Sequence, residues 1–345
     1  MELTKQDTKM TKGLAIIFMV LLHLFCRKTD LPYECIKTTG GVPLVYYIGL
    51  ICDCCVAIYC FCSGYALGII NQKISDAKQY YISRLKSVFK LMINYWVVLV
   101  LFSVVGLIVK NEVIPGSLKS FVLNVFLIEK YNGAWWFLLT YILLVLLSKP
   151  VFAFVEKFNP IIVCVLSVVV YLPAYVQRFK TVIQVDNSAV QWIVTQLALL
   201  GTSIMPFVWG MLFCKYNMFT KIKKVLYNKL DNRQLIIIGL LLTAIIVVGH
   251  GIVQSVIIAP FTGLMIIIAF NVVDKGKVFN RIFCFFGEHS TNIWLTHMFF
   301  YSVLFEDFVF VAKYPLPIFV FMIFLTLVSS YIINFIYKPI SKLVK

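Results

Sequence analysis

Charge is scarce in this 345-residue chain: Asp, Glu, Lys and Arg make up only 13% of it. A soluble domain carries roughly a quarter, so the deficit, beside 61% apolar residues, excludes an ordinary water-soluble globule and places the chain in lipid. Acid is scarcer still. Fifteen Asp and Glu face 31 Lys and Arg, a net charge of +16. In a soluble protein that excess would suggest nucleic acid. In so apolar a chain it is the surplus of bases that membrane proteins keep on the cytoplasmic face, and no nucleic-acid partner is expected. No small-residue cleavage site follows the first apolar run, so that run is expected to stay as a helix rather than leave as a signal peptide. Long linkers and internal repeats are missing too, which predicts one helical domain over 1–345. Nor is there a disulfide framework. Eight of the ten Cys lie inside apolar segments, where Cys acts as a small hydrophobe, and only Cys26 and Cys35 are placed to meet outside the membrane. Cys52 and Cys55 have a metal-like spacing, but no second such pair follows, so no metal is expected.

What the chain does have is apolar runs of membrane-crossing length, about 20 residues each. Runs near 10–27, 44–70, 88–109, 133–149, 160–176, 192–214, 235–250, 252–271, 287–305 and 315–337 predict an all-α polytopic bundle of ten transmembrane helices. Segments 71–90 and 215–234 read as polar loops. Gly249-His250-Gly251 reads as a tight turn between the seventh and eighth spans, with His250 a solvated loop residue. With both termini in the cytoplasm, 22 of the Lys and Arg fall inside and nine outside, alternating loop by loop.

Within the apolar spans, ionisable residues are candidates for function because burying them is costly. Lys12 and His23 stand eleven residues apart, within about 20° of one helix face and roughly 16 Å along its axis. The plainer reading is that Lys12 snorkels to the inner interface and His23 is hydrogen-bonded near the outer one. Asp53, in the second span, is either a buried carboxylate paired to a helix neighbour or a group that orients a His. Lys78, Arg84, Lys86 and Lys90 form a basic run that the positive-inside rule explains without a ligand; a phosphate-binding surface is the functional reading. Trp135-Trp136, after Asn132-Gly133, is an interfacial aromatic belt or a platform for a sugar ring. Gly287 to His297 packs Glu288, His289 and His297 into one helix start, too polar for simple lipid exposure.

At these residues the chain resembles the acyltransferase-3 family of integral membrane O-acyltransferases, and within it the branch that acetylates bacterial surface polysaccharides. Lys12-Gly13-Leu14-Ala15-Ile16-Ile17 leading to His23 is similar to that family's first helix. Ile58-Tyr59-Cys60-Phe61-Cys62-Ser63-Gly64-Tyr65 resembles its aromatic segment ending in Ser-Gly-Tyr, and Tyr80 to Tyr95 its basic entry into the third helix. Asn132 to Leu138 and Gly287 to His297 resemble two further stretches, so the likeness runs along the whole chain. It also departs from the pattern. Lys12 stands where many relatives have Arg, and Ser87 where a second Arg of the paired-Arg motif would be.

The resemblance implies transfer of an acyl group, acetyl from acetyl-CoA, to a hydroxyl of a cell-surface glycan or its lipid-linked precursor, in a bacterial cytoplasmic membrane. Acetyl-CoA is a substrate here and no permanent cofactor is implied. Its phosphates suit the basic surface of Lys12, Arg84, Lys86 and Lys90, and His23 is the implied base. Asp53, Glu288 and His297 are candidates to orient that His, and Trp135, Trp136, Glu288 and His297 to meet the acceptor. No hydrolase-like domain follows the tenth span, so the chain is expected to act alone or with separate polysaccharide-assembly proteins. The competing reading is a transporter or flippase of polysaccharide precursors, against which stands the lack of paired halves. A polymerase of repeat units would be expected to carry a large outer loop, which this sequence lacks.

Overall fold

In the computed structural model, which describes residues 2–344, the chain is an all-α polytopic membrane protein. The helices are α1 (Lys5–Phe25), α2 (Leu44–Ile51), α3 (Cys55–Lys73), α4 (Ala77–Ile108), α5 (Leu118–Val125), α6 (Trp136–Lys157) and α7 (Pro160–Lys180). They continue with α8 (Ser188–Lys215), α9 (Met218–Tyr227), α10 (Asn232–Val253), α11 (Ala259–Val272), α12 (Lys277–Met298), α13 (Glu306–Phe310) and α14 (Pro315–Leu343). Among the described residues, eight helical segments are long and apolar enough to cross a membrane. The two remaining expected spans fall on the shorter stretch Val256–Val272 and on α12, whose polar residues lower its hydropathy.

Local sequence sets several of the boundaries. Asn159 caps α7 through Ile161 N–H and is followed by Pro160, whose missing donor costs nothing at a first helical position. Asp231 and Gln234 form a reciprocal capping box on α10. Three sequence expectations are corrected. The segment 71–90 is helical from Ala77 onward, so Arg84, Lys86 and Lys90 lie on α4, not in a loop. The segment 215–234 contains the helix α9. Finally, Gly249-His250-Gly251 is no turn: α10 runs through it to Val253, and the chain reverses at Gln254, which takes the left-handed conformation. Glycine permits a turn but does not impose one, and the apolar periodicity of α10 carries through.

The chain clusters into two compact units. The first comprises Met1–Phe18, Leu50–Tyr81 and Thr140–Gly287. Its spine is α3 packed against α8, with α7 also against α8 and α11 against α3. The helices α3 and α8 touch backbone to backbone: a Cβ on Gly64 would fall on the Phe207 carbonyl, and one on Gly210 on the Phe61 carbonyl. Small residues allow such approaches in lipid, where packing rather than hydrophobicity joins helices. The same device joins α1 to α12, since a Cβ on Gly13 would strike the Phe283 carbonyl and one on Gly287 the Lys9 carbonyl. The second span is broken by a 3-10 turn, Cys52–Cys54, which carries Asp53.

The second unit comprises Met19–Gly49, Ile82–Leu139 and Glu288–Lys345. Its aromatic core has Trp135 edge-on to Tyr95 (4.7 Å) and to Phe299 (5.4 Å), with Phe102 stacked on Phe299 at 4.2 Å. Offset and edge-on pairs of this kind contribute about 0.5–1.5 kcal/mol each beyond their buried area.

Candidate active site

The polar end of α12 forms the centre of the second unit. His297 is fully buried, and its Nδ1 lies 2.8 Å from the Trp294 carbonyl. A carbonyl only accepts, so Nδ1 carries the proton and Nε2 presents a lone pair. That Nε2 is 2.6 Å from Nδ1 of His23, which is half-buried on α1. The acceptor on His297 therefore sets His23 as the Nδ1–H tautomer and leaves the His23 Nε2 with a basic lone pair. The two rings are nearly parallel, 4.8 Å apart, and Tyr301 stacks 6.0 Å from each. Such a chain, carbonyl to inner His to outer His, fixes the tautomer of a base and keeps a hydrogen-bond acceptor on the imidazolium it would become, the place a carboxylate takes beside the His of a hydrolytic triad.

The backbone under this pair is held from several sides. The Leu295 carbonyl accepts from both Asn132 Nδ2 and Trp135 Nε1, each at 2.9 Å. Trp294 Nε1 donates to the Ala134 carbonyl (3.1 Å), and Asn132 also caps Ala134 N–H. After Met298 the helix widens into a π-turn, Phe299–Val303, a feature found disproportionately at functional sites. Along the same helix Asn292 bonds to Asn94 (2.7 Å), Ser330 (3.0 Å) and Asn334 (3.2 Å), and His289 bonds to Ser330 (2.8 Å). Beyond Tyr301, Arg27 pairs with Glu306 at 3.6 Å and lies over the Tyr301 ring.

The expected site residues are therefore partly regrouped. His23 and His297 come together. Trp135 differs from the sugar platform expected of it, because its ring is enclosed and its indole N–H anchors the His297 helix. Trp136 is only half-buried, and Glu288 is exposed on α12. Arg84 is half-buried with Nη2 on the Ser83 hydroxyl (2.8 Å), Lys86 is exposed, and Lys90 is half-buried. Lys12 belongs to the first unit, where Tyr59 donates to its carbonyl at 3.3 Å.

Asp53 meets a His, as one of its two readings had it, but the His is His250 and not His23. Its Oδ2 is 3.1 Å from Nε2 of His250, whose Nδ1 is 3.2 Å from the Thr262 hydroxyl. The side chains are only 6% and 1% exposed, so His250 is a buried member of the first unit and not the solvated loop residue that its flanking glycines suggest. His250→Ala is expected to destabilise the protein by roughly 3–5 kcal/mol, because it strands a buried carboxylate. Thermal unfolding in detergent measures this, and Asp53→Ala in the same chain is expected to recover much of the loss. An unchanged melting temperature for the single variant would contradict the pairing.

The second unit thus presents a tautomer-fixed imidazole on a membrane-embedded helix, which makes this a membrane protein with a candidate general base in its apolar body. The chain belongs to the acyltransferase-3 family: the family's model, described as an acyltransferase domain, matches residues 9–335. It is accordingly a membrane acyltransferase. No curated protein and no solved structure is significantly similar to it.

Proposed function

We propose that the protein moves an acetyl group from acetyl-CoA to a hydroxyl of a cell-surface glycan or of its lipid-linked precursor, with His23 as general base. The observation that carries this reading is the Trp294–His297–His23 chain of bonds, which leaves a basic nitrogen on a half-buried ring. The acceptor hydroxyl gives its proton to His23 Nε2 as its oxygen attacks the thioester carbonyl. The carbon–sulfur bond breaks, and the departing thiolate takes the proton back from the imidazolium. His297 accepts from His23 Nδ1–H throughout, so the imidazolium keeps its hydrogen-bond acceptor. The test is incubation of membranes with labelled acetyl-CoA and candidate glycans. Label appearing in glycan supports the reading, and hydrolysis without transfer opposes it.

The donor side of the proposal falls on the basic first turns of α4. A guanidinium matches phosphate oxygens in pairs, and Arg84 is the one Arg on α4. Arg84→Ala is expected to raise the apparent KM for acetyl-CoA roughly tenfold with kcat little changed. Unchanged donor dependence would leave the positive-inside rule as a sufficient explanation of these bases. The proposal also includes ten spans with cytoplasmic ends, in a bacterial cytoplasmic membrane. Reporter fusions after Lys37, Lys130 and Lys313 should then read as external and those after Lys78 and Lys224 as internal, and one reversed reporter breaks the count.

A further inference from the structure

We infer that α9 lies along the membrane surface and binds the headgroups of anionic phospholipids through Lys221 and Lys224. Its place follows from its neighbours. The helices α8, which ends at Lys215, and α10, which begins at Asn232, are both long and apolar enough to cross a membrane, and α9 fills most of the short link between them. A helix of ten residues tethered so closely at both ends has no room to stand away from the bilayer. It is fastened to the first unit as well. Glu2 Oε1 accepts from the Thr220 N–H (3.0 Å) and the Thr220 hydroxyl (2.8 Å), and at the other end Tyr227 donates to the Val272 carbonyl at 3.0 Å. Between them Phe219 is enclosed, edge-on to Tyr65 at 6.0 Å and to Phe61 at 6.3 Å.

What α9 leaves exposed is both basic and apolar. Lys221 and Lys224 stand three residues apart on one helix face, and Val225, one turn from Lys221, is 58% exposed beside them. Segment 215–233 holds six Lys and Arg against a single acid, Asp231, whose carboxylate is taken by the Gln234 N–H at the start of α10. Among the described residues no carboxylate pairs with Lys221 or Lys224. Two like charges one turn apart repel until an anion answers them, and clusters of this size beside a membrane span attract anionic headgroups. A soluble phosphate would answer the bases but leave Val225 and the exposed ring of Tyr227 in water. A phospholipid meets the ammonium groups with its phosphate and the apolar side chains with its glycerol and acyl ends. The positive-inside rule explains bases in this link, but it asks nothing of Val225 and predicts no lipid selectivity.

The full-length protein in neutral maltoside micelles is titrated with phosphatidylglycerol or with phosphatidylcholine, and bound lipid is counted by native mass spectrometry. Wild type is expected to hold phosphatidylglycerol roughly tenfold more tightly or better. Lys221→Gln combined with Lys224→Gln should weaken that binding about tenfold, whereas Lys180→Gln, at an exposed base in the last turn of α7, should leave it unchanged. Thermal melting checks that the variants are folded. Should the double variant fail to fold, Val225→Asn, which spares both bases, tests the same contact and should weaken binding severalfold. Equal affinity for the two lipids overturns the inference, as does unchanged phosphatidylglycerol binding in the folded double variant. Release of the bound lipid by an equal concentration of inorganic phosphate or coenzyme A would make a soluble phosphate the occupant and overturn it too. Acyl transfer plays no part in the measurement, so none of these outcomes bears on the proposed chemistry of His23.

Discussion

His23→Ala is expected to lower glycan acetylation roughly 10²–10⁴-fold, the usual contribution of a positioned general base. The side chain reaches from a half-buried position on α1 to His297, and its Nε2 is the one basic atom that this chain of bonds leaves available. Abundance in the membrane should stay near wild type, because alanine on a transmembrane helix offends neither lipid nor backbone, and His297 retains its bond to the Trp294 carbonyl. Acetylation and membrane abundance, measured on the same preparations, separate the two effects. Normal transfer by a well-inserted variant would remove His23 from the chemistry and with it the enzymatic mechanism proposed here.

In the proposed mechanism His297 acts through His23, as a positioning residue. His297→Phe keeps a ring in the stack with Tyr301 but removes the acceptor for His23 Nδ1–H. Without it the outer imidazole can adopt the other tautomer, and its cationic form loses its partner. The expected result is a fall in kcat of about 10²-fold or more, with the KM for acetyl-CoA little changed. His297→Gln should recover part of the loss, since an amide oxygen can accept where the imidazole did. A purely structural role would move both variants together and shift folded yield along with rate, and that outcome would count against the relay.

The helical class and most of the spans are legible in the sequence because a bilayer demands long apolar runs and little else. Their ends are less so. The helix α4 begins well before its apolar part, since a stretch outside the hydrocarbon can be as polar as Lys78 to Lys90 and still be helical. His23 and His297 are separated by 274 residues, and although the residue types mark both, nothing in the spacing shows that they touch. His250 is the instructive miss. Two flanking glycines suggest a turn, yet three buried polar side chains, Asp53, His250 and Thr262, complete one another from distant parts of the chain. The signal available was rarity: the chain has four His, and an imidazole near an apolar run without a partner would be costly. Trp135-Trp136 misleads for a related reason. The pair reads as an interface belt, but only the fold reveals that Trp135 Nε1 has a buried carbonyl to bind.

The two backbone crossings carry a consequence for any saturation mutagenesis of this chain. Gly13 and Gly287 sit inside two of the stretches where the sequence resembles the family, and neither helix can accept even a methyl group where they cross. A survey that scores surviving activity alone would rank Gly13 beside His23, although one holds two backbones together and the other is proposed to handle a proton. The two kinds of intolerance part company when protein quantity is scored alongside activity: glycine variants should vanish from the membrane, and histidine variants should accumulate there, idle.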